Sequence, residues 1–147
     1  MRDKKPWAYF DTSVLVKRYV RENGSDQAQK LLRKYRFISS AVTPVEASAS
    51  FRRRRDSGDI EPRYFEAIIE RFDLDRLKWD LIETGKDVLD RAEHMSRRNK
   101  LRALDAIHLA SAVLFKEETN IRTPLITADA AQREAAVLLS LDVVWVE

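Results

Sequence analysis

The chain has 147 residues, the length of one ordinary domain, and we expect a single domain spanning residues 1–147. Hydrophobic residues make up 44% and charged residues 35%, which is typical of a folded protein and excludes a disordered one. There is no cysteine and there are only two histidines, so disulfides and thiolate-bound zinc are excluded, and a bound metal would need oxygen ligands. The net charge of +3 slightly favours an anionic partner.

Membrane and secretory segments are not predicted. No stretch approaches the roughly 18 consecutive apolar residues of a membrane span. Residues 1–6 are polar and lack the apolar core of a secretory signal. We therefore expect a cytoplasmic protein with no membrane partner.

Strands and helices are predicted to alternate, the strands from short apolar runs and the helices from apolar residues three and four positions apart. In chain order, the first half predicts a strand at 7–10, helices at 14–20 and 25–35, a strand at 37–40, and helices at 43–55 and 61–72. The second half predicts a strand at 79–83, helices at 86–96 and 102–118, a strand at 124–127, a helix at 129–139 and a strand at 143–146.

This alternation predicts the α/β class. Parallel neighbours in a sheet need crossover connections, so we expect a three-layer α/β/α sandwich with a central, mostly parallel sheet of about four to five strands. Crossover helices run antiparallel to the strands that they connect. The N-termini of the helices and the carboxyl ends of the strands therefore lie at one edge of the sheet, where ligands bind in open α/β folds.

Four carboxylates are predicted at that edge, two directly after strands and two near helix N-termini: Asp11, Asp129, Glu46 and Asp105. Helix capping is a competing interpretation for Asp11 and Asp129. Thr43 and Glu46 likewise have the spacing of a capping box. Asp105 is the hardest to explain structurally, because an aspartate is rarely buried on an almost wholly apolar helix without a partner.

Four carboxylates in one place would repel one another unless a divalent cation offset their charge. Oxygen ligands select Mg²⁺ or Mn²⁺, and such an ion can activate a water molecule and stabilise charge on a phosphodiester. The cluster therefore predicts a metal site suited to phosphodiester hydrolysis. His108 lies one turn after Asp105 and could be a base or a metal ligand, but a core histidine hydrogen-bonded to backbone is the favoured interpretation.

Other phosphate-handling folds fit the sequence less well. A signalling receiver domain would need paired acids after the first strand, where Thr12 and Ser13 follow Asp11. A phosphoaspartate phosphatase would need a second aspartate at position 13. The only Gly-Lys pair, Gly85-Lys86, lacks the earlier glycine of a nucleotide-binding loop.

Four short segments together resemble the PIN-domain nucleases, and more closely the VapC-type toxins of bacterial and archaeal toxin–antitoxin pairs. In chain order, they are Tyr9-Phe10-Asp11-Thr12-Ser13, Thr43-Pro44-Val45-Glu46, Leu104-Asp105-Ala106-Ile107-His108-Leu109-Ala110 and Thr127-Ala128-Asp129. The resemblance implies an α/β/α fold, Mg²⁺- or Mn²⁺-dependent endoribonuclease activity on RNA, a homodimer, and inhibition by a VapB-type antitoxin whose tail enters the active-site groove.

The same resemblance implies roles for individual residues. Asp11 and Asp105 would be the principal metal ligands, with Glu46 and Asp129 binding directly, through water or at a second ion. Ser13 and Thr127 would support them by hydrogen bonding. A housekeeping RNA-processing nuclease and a non-catalytic RNA-binding scaffold are the alternatives, and the intact acids argue against the second.

Two further surfaces are predicted. The residues expected to contact RNA phosphates precede the Asp105 helix: Arg97, Arg98, Lys100 and Arg102. The four arginines at positions 52–55 are interpreted as a solvated helix end, since consecutive helical residues point in different directions. The apolar stripe over residues 64–72, with Val14, Leu15 and Tyr19, is expected in the core, with a dimer or antitoxin interface as the alternative.

Overall fold

The computed structural model describes residues 4–147. The strands are β1 (Trp7–Phe10), β2 (Arg36–Ser40), β3 (Asp80–Ile82), β4 (Leu125–Thr127) and β5 (Val143–Trp145). The helices are α1 (Thr12–Val16), α2 (Ser25–Lys34), α3 (Thr43–Asp56), α4 (Pro62–Asp75), α5 (Lys86–Arg98), α6 (Ala103–Thr119) and α7 (Ala130–Leu138), with a 3₁₀ turn at Arg76–Lys78. Every predicted element is present.

The five strands form one parallel sheet in the order β3-β2-β1-β4-β5. In its centre, Tyr9 of β1 is paired with Ile38 of β2 on one side and with Leu125 of β4 on the other. The order of connection reverses at β1, because β2 and β3 lie on one side of it and β4 and β5 on the other. In open α/β sheets such a reversal leaves a crevice outside the carboxyl ends of the two central strands, here β1 and β4.

The side chains of β1 alternate between the two faces of the sheet, as in any strand with both faces covered. Tyr9 packs in a core with α5, α6 and α7, whereas Ala8 and Phe10 pack in a core that includes α1 and α2. A third cluster joins α1, α3 and α4 through Leu15, Phe51 and other apolar residues. The three-layer α/β/α prediction is confirmed.

The first predicted helix is shorter than expected. α1 ends at Val16, whereas the apolar pattern extended the helix through Val20. After Val16 the chain continues in tighter turns, in which the N–H groups of Arg18 and Tyr19 bond the carbonyls three residues earlier. Tyr19 and Val20 still pack in the core. The apolar pattern therefore predicted the burial of these residues correctly but the length of the helix wrongly.

The apolar stripe of α4 lies mostly in the core, as expected. Phe72 is fully buried, and Phe65, Ile68 and Ile69 pack against the same cluster. Tyr64, at the start of the stripe, is half exposed. Val14 and Leu15 of α1 are also buried, so these residues serve the fold of this chain.

α6 is the longest helix among residues 4–147, with 17 residues. It packs against α5 and the sheet, and its buried side chains include Leu109 and His108. Neither α6 nor another helix of the described part of the chain is long and apolar enough to cross a membrane.

Candidate active site

The carboxylate of Asp11 lies at the carboxyl end of β1, and only 4% of the residue is exposed. Ser13 Oγ at 2.5 Å and Thr127 Oγ1 at 3.2 Å donate hydrogen bonds to its Oδ2. Gln132 Nε2 donates to its Oδ1 at 3.1 Å. Asp11 occupies the N-cap position of α1, yet its side chain makes no capping bond, so the capping interpretation is wrong for this residue.

Ser13 and Thr127 connect the ends of the two central strands. Each hydroxyl donates to Asp11 and also accepts a backbone N–H, from Ala128 at 3.1 Å for Ser13 and from Asp129 at 3.0 Å for Thr127. Each hydroxyl has only one O–H, and the bond to Asp11 uses it, while the backbone N–H is accepted on a lone pair. The resemblance implied that these residues support the acids by hydrogen bonding, and both donate a hydrogen bond to Asp11.

Glu46 lies in the first turn of α3, but not in a capping box. Thr43 Oγ1 is hydrogen-bonded to Ser39 Oγ at 2.6 Å, and no side chain caps this helix. The carboxylate of Glu46 instead accepts from Thr12 Oγ1 at 2.9 Å and lies 2.5 Å from Nε2 of His108. The predicted capping box is wrong, because the threonine that would form it bonds to the sheet.

His108 is buried, as expected, but its partners are side chains and not backbone groups. Its Nδ1 lies 2.7 Å from the Tyr9 hydroxyl, while Nε2 contacts Glu46. Burial lowers the pKa of His108, but the hydrogen bond to Glu46 and the nearby carboxylates outweigh this, so the pKa is raised above its ordinary value. Burial raises the pKa of Glu46, but the bond and charge of His108 leave it lowered overall. The geometry thus favours a carboxylate–imidazolium pair.

Asp105 lies in the first turn of α6, partly buried, and its Oδ1 accepts a hydrogen bond from Gln132 Nε2 at 3.2 Å. Burial, and then the charges of Asp129 and Asp11, raise the pKa of Asp105 above its ordinary value. The raised pKa reflects first the burial of Asp105 and then the negative charge of the two neighbouring aspartates. A cation bound there would favour the ionised form of Asp105.

Asp129 is the N-cap of α7, and its Oδ1 accepts the backbone N–H of Gln132 at 3.0 Å. The capping interpretation is therefore confirmed for Asp129. The same residue lines the cleft beside Asp105, so capping and a position in the site coexist.

A cleft of about 450 Å³ opens at the carboxyl ends of β1 and β4 and is bordered by α1, by one face of α3 and by the N-terminus of α6. Its lining includes the four predicted acids and three cations, namely Asp11, Glu46, Asp105, Asp129, Lys17, Arg53 and Arg54. A larger cavity, of about 640 Å³, lies beside the amino ends of β2 and β3 and contains none of these acids. The chemistry of the lining, and not the size of the cavity, identifies the candidate site.

The four consecutive arginines of α3 face different ways, as expected for a helix. Arg52 is exposed and pairs with Asp56 at 3.0 Å, in agreement with a solvated helix end. Arg53 and Arg54 line the cleft instead, and Arg54 pairs with Glu22, which also binds Lys17 at 3.2 Å. Glu22 therefore forms ion pairs with two of the three cleft cations, Lys17 and Arg54. Among residues 4–147, the third cation, Arg53, has no carboxylate partner.

The four residues predicted to contact RNA do not line this cleft. Arg97 and Arg98 end α5, Lys100 lies in the following loop, and Arg102 occupies the N-cap position of α6. All four are exposed. The prediction relied on their proximity in sequence to Asp105, and they do lie near the start of its helix. The cations that line the cleft belong instead to α3 and to the segment directly after α1.

A family model described as "PIN domain" matches residues 8–138. The chain belongs to the PIN-domain family. Ribonuclease VapC35 of Mycobacterium tuberculosis is 34% identical over 139 residues, which are 92% of this chain and 94% of that protein. Ribonuclease VapC46 of the same bacterium is 33% identical over 137 residues, 92% of this chain and 95% of that protein.

Solved structures share the PIN-like fold described above. A chain of a toxin–antitoxin complex from Klebsiella pneumoniae superposes with a TM-score of 0.61 and 21% identity, covering 85% of this chain and 88% of that one. A chain of VapBC2 from Rickettsia felis, bound to a DNA fragment from its promoter, superposes with a TM-score of 0.65 and 10% identity, covering 95% and 98%. At these identities the likeness concerns the fold.

PIN-domain nucleases of the VapC type generally depend on divalent cations, and the donors of this cleft fit such an ion in hydrated form. Among residues 4–147, no three carboxylate or imidazole groups lie close enough together to enclose an ion by themselves. An ion bound in this cleft would therefore need water molecules to complete its coordination. Mg²⁺ keeps several waters and is commonly held by one or two carboxylates, which is the arrangement that Asp11 and Asp105 offer beside Gln132.

Sequence reasoning missed Gln132 and Lys17 in this PIN-domain site. Gln132 is the only polar side chain of α7 that is fully buried, and it contacts both Asp11 and Asp105. A glutamine three residues after Asp129, within an alanine-rich helix, was a signal available in the sequence. Lys17 gave no such signal, because its place in the cleft depends on where α1 ends.

Proposed function

We propose that this PIN-domain chain is a cytoplasmic endoribonuclease that hydrolyses RNA phosphodiester bonds with Mg²⁺, or Mn²⁺ in its place. The observation that supports this most strongly is the lining of one cleft by Asp11, Glu46, Asp105 and Asp129 together with three cations. Acids that hold a hard cation, beside cations that attract phosphate, suit a polyanionic substrate. The names of the curated relatives, both ribonucleases, point to the same chemistry.

Asp11 and Asp105 are the proposed principal metal ligands. Asp11 suits this role because three donors orient its carboxylate. Asp105 suits it because it lines the same cleft and shares the amide of Gln132 with Asp11. Asp129 and Glu46 line the same cleft and would bind the metal directly, through water or at a second ion. When bound, a divalent cation would lower the pKa of a water molecule and stabilise the charge developing on the phosphate.

The cleft cations are the proposed contacts for RNA phosphates. Arg53 is exposed and has no carboxylate partner in the described part of the chain, so it can reach a phosphate without breaking an ion pair. Lys17 and Arg54 are ordered by Glu22 and contribute positive potential beside the acids. Arg97, Arg98, Lys100 and Arg102 would contact only RNA that extends beyond the cleft.

We further propose that the chain is the toxin of a type II toxin–antitoxin pair, forms a homodimer, and is inhibited by a VapB-type antitoxin. The support comes from the curated VapC relatives over nearly their whole length and from the toxin–antitoxin complexes that share the fold. Expression of the chain should arrest growth, and co-expression of a small DNA-binding protein encoded beside it should restore growth. A housekeeping RNA-processing nuclease would have no such neighbour.

The activity is tested with a circular RNA, which has no ends and reports only endonucleolytic cleavage. Purified protein, freed of any partner and treated with EDTA, should leave the circle intact. Titration with Mg²⁺ or Mn²⁺ should then linearise it. Equal cleavage with and without metal, or intact circles at every metal concentration, would contradict the proposed function.

A further inference from the structure

Gln132 lies between the two proposed principal ligands. It is completely buried on the side of α7 that faces α6 and the end of β1. Its position is set by Asp129, which caps α7 by accepting the backbone N–H of Gln132 itself at 3.0 Å. The backbone of Gln132 is thus held in place independently of the contacts of its side chain.

The side-chain amide of Gln132 uses both of its N–H donors on carboxylates. Nε2 lies 3.1 Å from Oδ1 of Asp11 and 3.2 Å from Oδ1 of Asp105. Ionised carboxylates only accept hydrogen bonds, so the nitrogen, and not the oxygen, must face them. One NH₂ group therefore connects the end of β1 to the first turn of α6.

The carbonyl oxygen of the same amide is buried and accepts no hydrogen bond from the described residues. A buried unpaired acceptor is costly in a folded protein. An apolar side chain of similar volume, such as methionine, would avoid that cost and fill the same space. Filling space therefore does not explain a glutamine at this position, whereas donation to two acids does.

The neutral charge of the amide matters as much as its geometry. A lysine at this position would hold the two carboxylates together but would also neutralise one of them and compete with a cation. The amide of Gln132 carries no charge, so it can hold both acids by hydrogen bonds without neutralising either of them. Outer partners that orient ligands in this way typically change metal affinity by about 10- to 100-fold.

We infer that Gln132 is a positioning residue that holds Asp11 and Asp105 in the arrangement required to bind a divalent cation. The inference rests on the proposed function, because it concerns the same metal site. It assigns to Gln132 no contact with RNA or with the reacting atoms. Its effect is on the affinity for the metal, which is measurable without substrate.

The test is the dissociation constant of Mn²⁺, measured by electron paramagnetic resonance or calorimetry on the full chain without RNA. The variants are Gln132→Met and Gln132→Leu, which keep an apolar side chain of similar size, and the control is Glu134→Gln, an exposed position on the same helix. We expect Mn²⁺ to bind about 10- to 100-fold more weakly to both Gln132 variants and unchanged to the control. Thermal denaturation without metal verifies that each variant is folded.

A folded Gln132→Met variant that binds Mn²⁺ as tightly as the wild type would overturn the inference and leave the proposed function standing. A wild-type protein that binds no Mn²⁺ would overturn both. If neither variant folds, nuclear magnetic resonance of the wild type decides. Both side-chain amide protons of Gln132 should be protected from exchange with water, with and without Mg²⁺, and rapid exchange of either would overturn the inference.

Discussion

Nε2 of His108 lies 2.5 Å from a carboxylate oxygen of Glu46, and this contact joins α6 to α3 beside the acidic cleft. The other ring nitrogen of His108 is bonded to the Tyr9 hydroxyl, so the imidazole is held from both sides. Because the pKa of His108 is raised and that of Glu46 lowered, the pair is ionised over a range of pH. The contact with His108 therefore fixes the orientation of the Glu46 carboxylate in the cleft and favours its ionised form.

Removal of the imidazole should destabilise the fold. We expect His108→Ala to lower the free energy of unfolding by about 2–3 kcal/mol, since it leaves Glu46 without its cation and opens a gap beside Tyr9. The carboxylate is not completely buried, with 21% of the Glu46 side chain exposed, so the loss should not exceed this range. His94→Ala is the control, because His94 is exposed on α5. Urea denaturation of the two variants should separate them, and equal losses would refute the assigned role.

The contribution of this pair should depend on pH in the metal-free protein. The raised pKa of His108 means that its contribution is complete below the ordinary value of 6.5 and is lost as the pH rises through the folded-state value. The lowered pKa of Glu46 means that its contribution is complete above 4.5 and is lost as the pH falls through the folded-state value. The stability difference between wild type and His108→Ala should therefore be largest between pH 4.5 and 6.5 and decrease on both sides. A flat difference from pH 4 to 9, measured by urea denaturation, would contradict this.

The two roles of Asp129 can be separated by substitution. Asp129→Ala removes the cap of α7 and should cost about 1 kcal/mol of stability. Asp129→Asn keeps an oxygen that can accept the same N–H, so its stability should stay close to that of the wild type. Both variants should bind Mn²⁺ more weakly, because both remove the charge beside Asp105. If Asp129→Asn retains wild-type affinity for Mn²⁺, Asp129 acts only as a helix cap.

RNA contact by Arg53 is testable without cleavage, by fluorescence anisotropy of a short labelled RNA in EDTA. Arg53→Ala should weaken binding and reduce the slope of log affinity against log salt by about 0.7, the value for one phosphate contact on a single strand. Arg97→Ala, outside the cleft, should leave both unchanged with a short RNA. A larger effect of Arg97→Ala than of Arg53→Ala would reverse this assignment.

The sequence was sufficient for the sheet and for the edge on which the acids lie. Asp11 and Asp129 each follow a parallel strand, so the alternation of strands and helices alone puts them at the same edge. Asp105 was recognised because local packing offers no reason for an acid on an apolar helix. These are local patterns combined with one topological rule, and both are readable in a single chain.

The partners of the acids were not predictable in the same way. Whether Thr43 bonds to Glu46 or to Ser39 depends on the distance between α3 and β2, which no local pattern encodes. The contact of Gln132 with Asp105 likewise depends on how α7 and α6 pack at the end of the sheet. Side-chain networks of this kind are set by tertiary packing, and for that reason the site was predicted more coarsely than the fold.

The most direct test of the central claim is the rate of cleavage of a circular RNA by Asp105→Asn and by wild type across a titration of Mg²⁺. Asp105→Asn should fold at least as stably as the wild type without metal, because it removes a charge that burial and then the neighbouring acids disfavour. Its cleavage rate should fall by at least about two orders of magnitude, while Asp90→Asn, at an exposed position on α5, should cleave normally. Equal rates for Asp105→Asn and wild type at every Mg²⁺ concentration would contradict the assignment of this cleft as the active site.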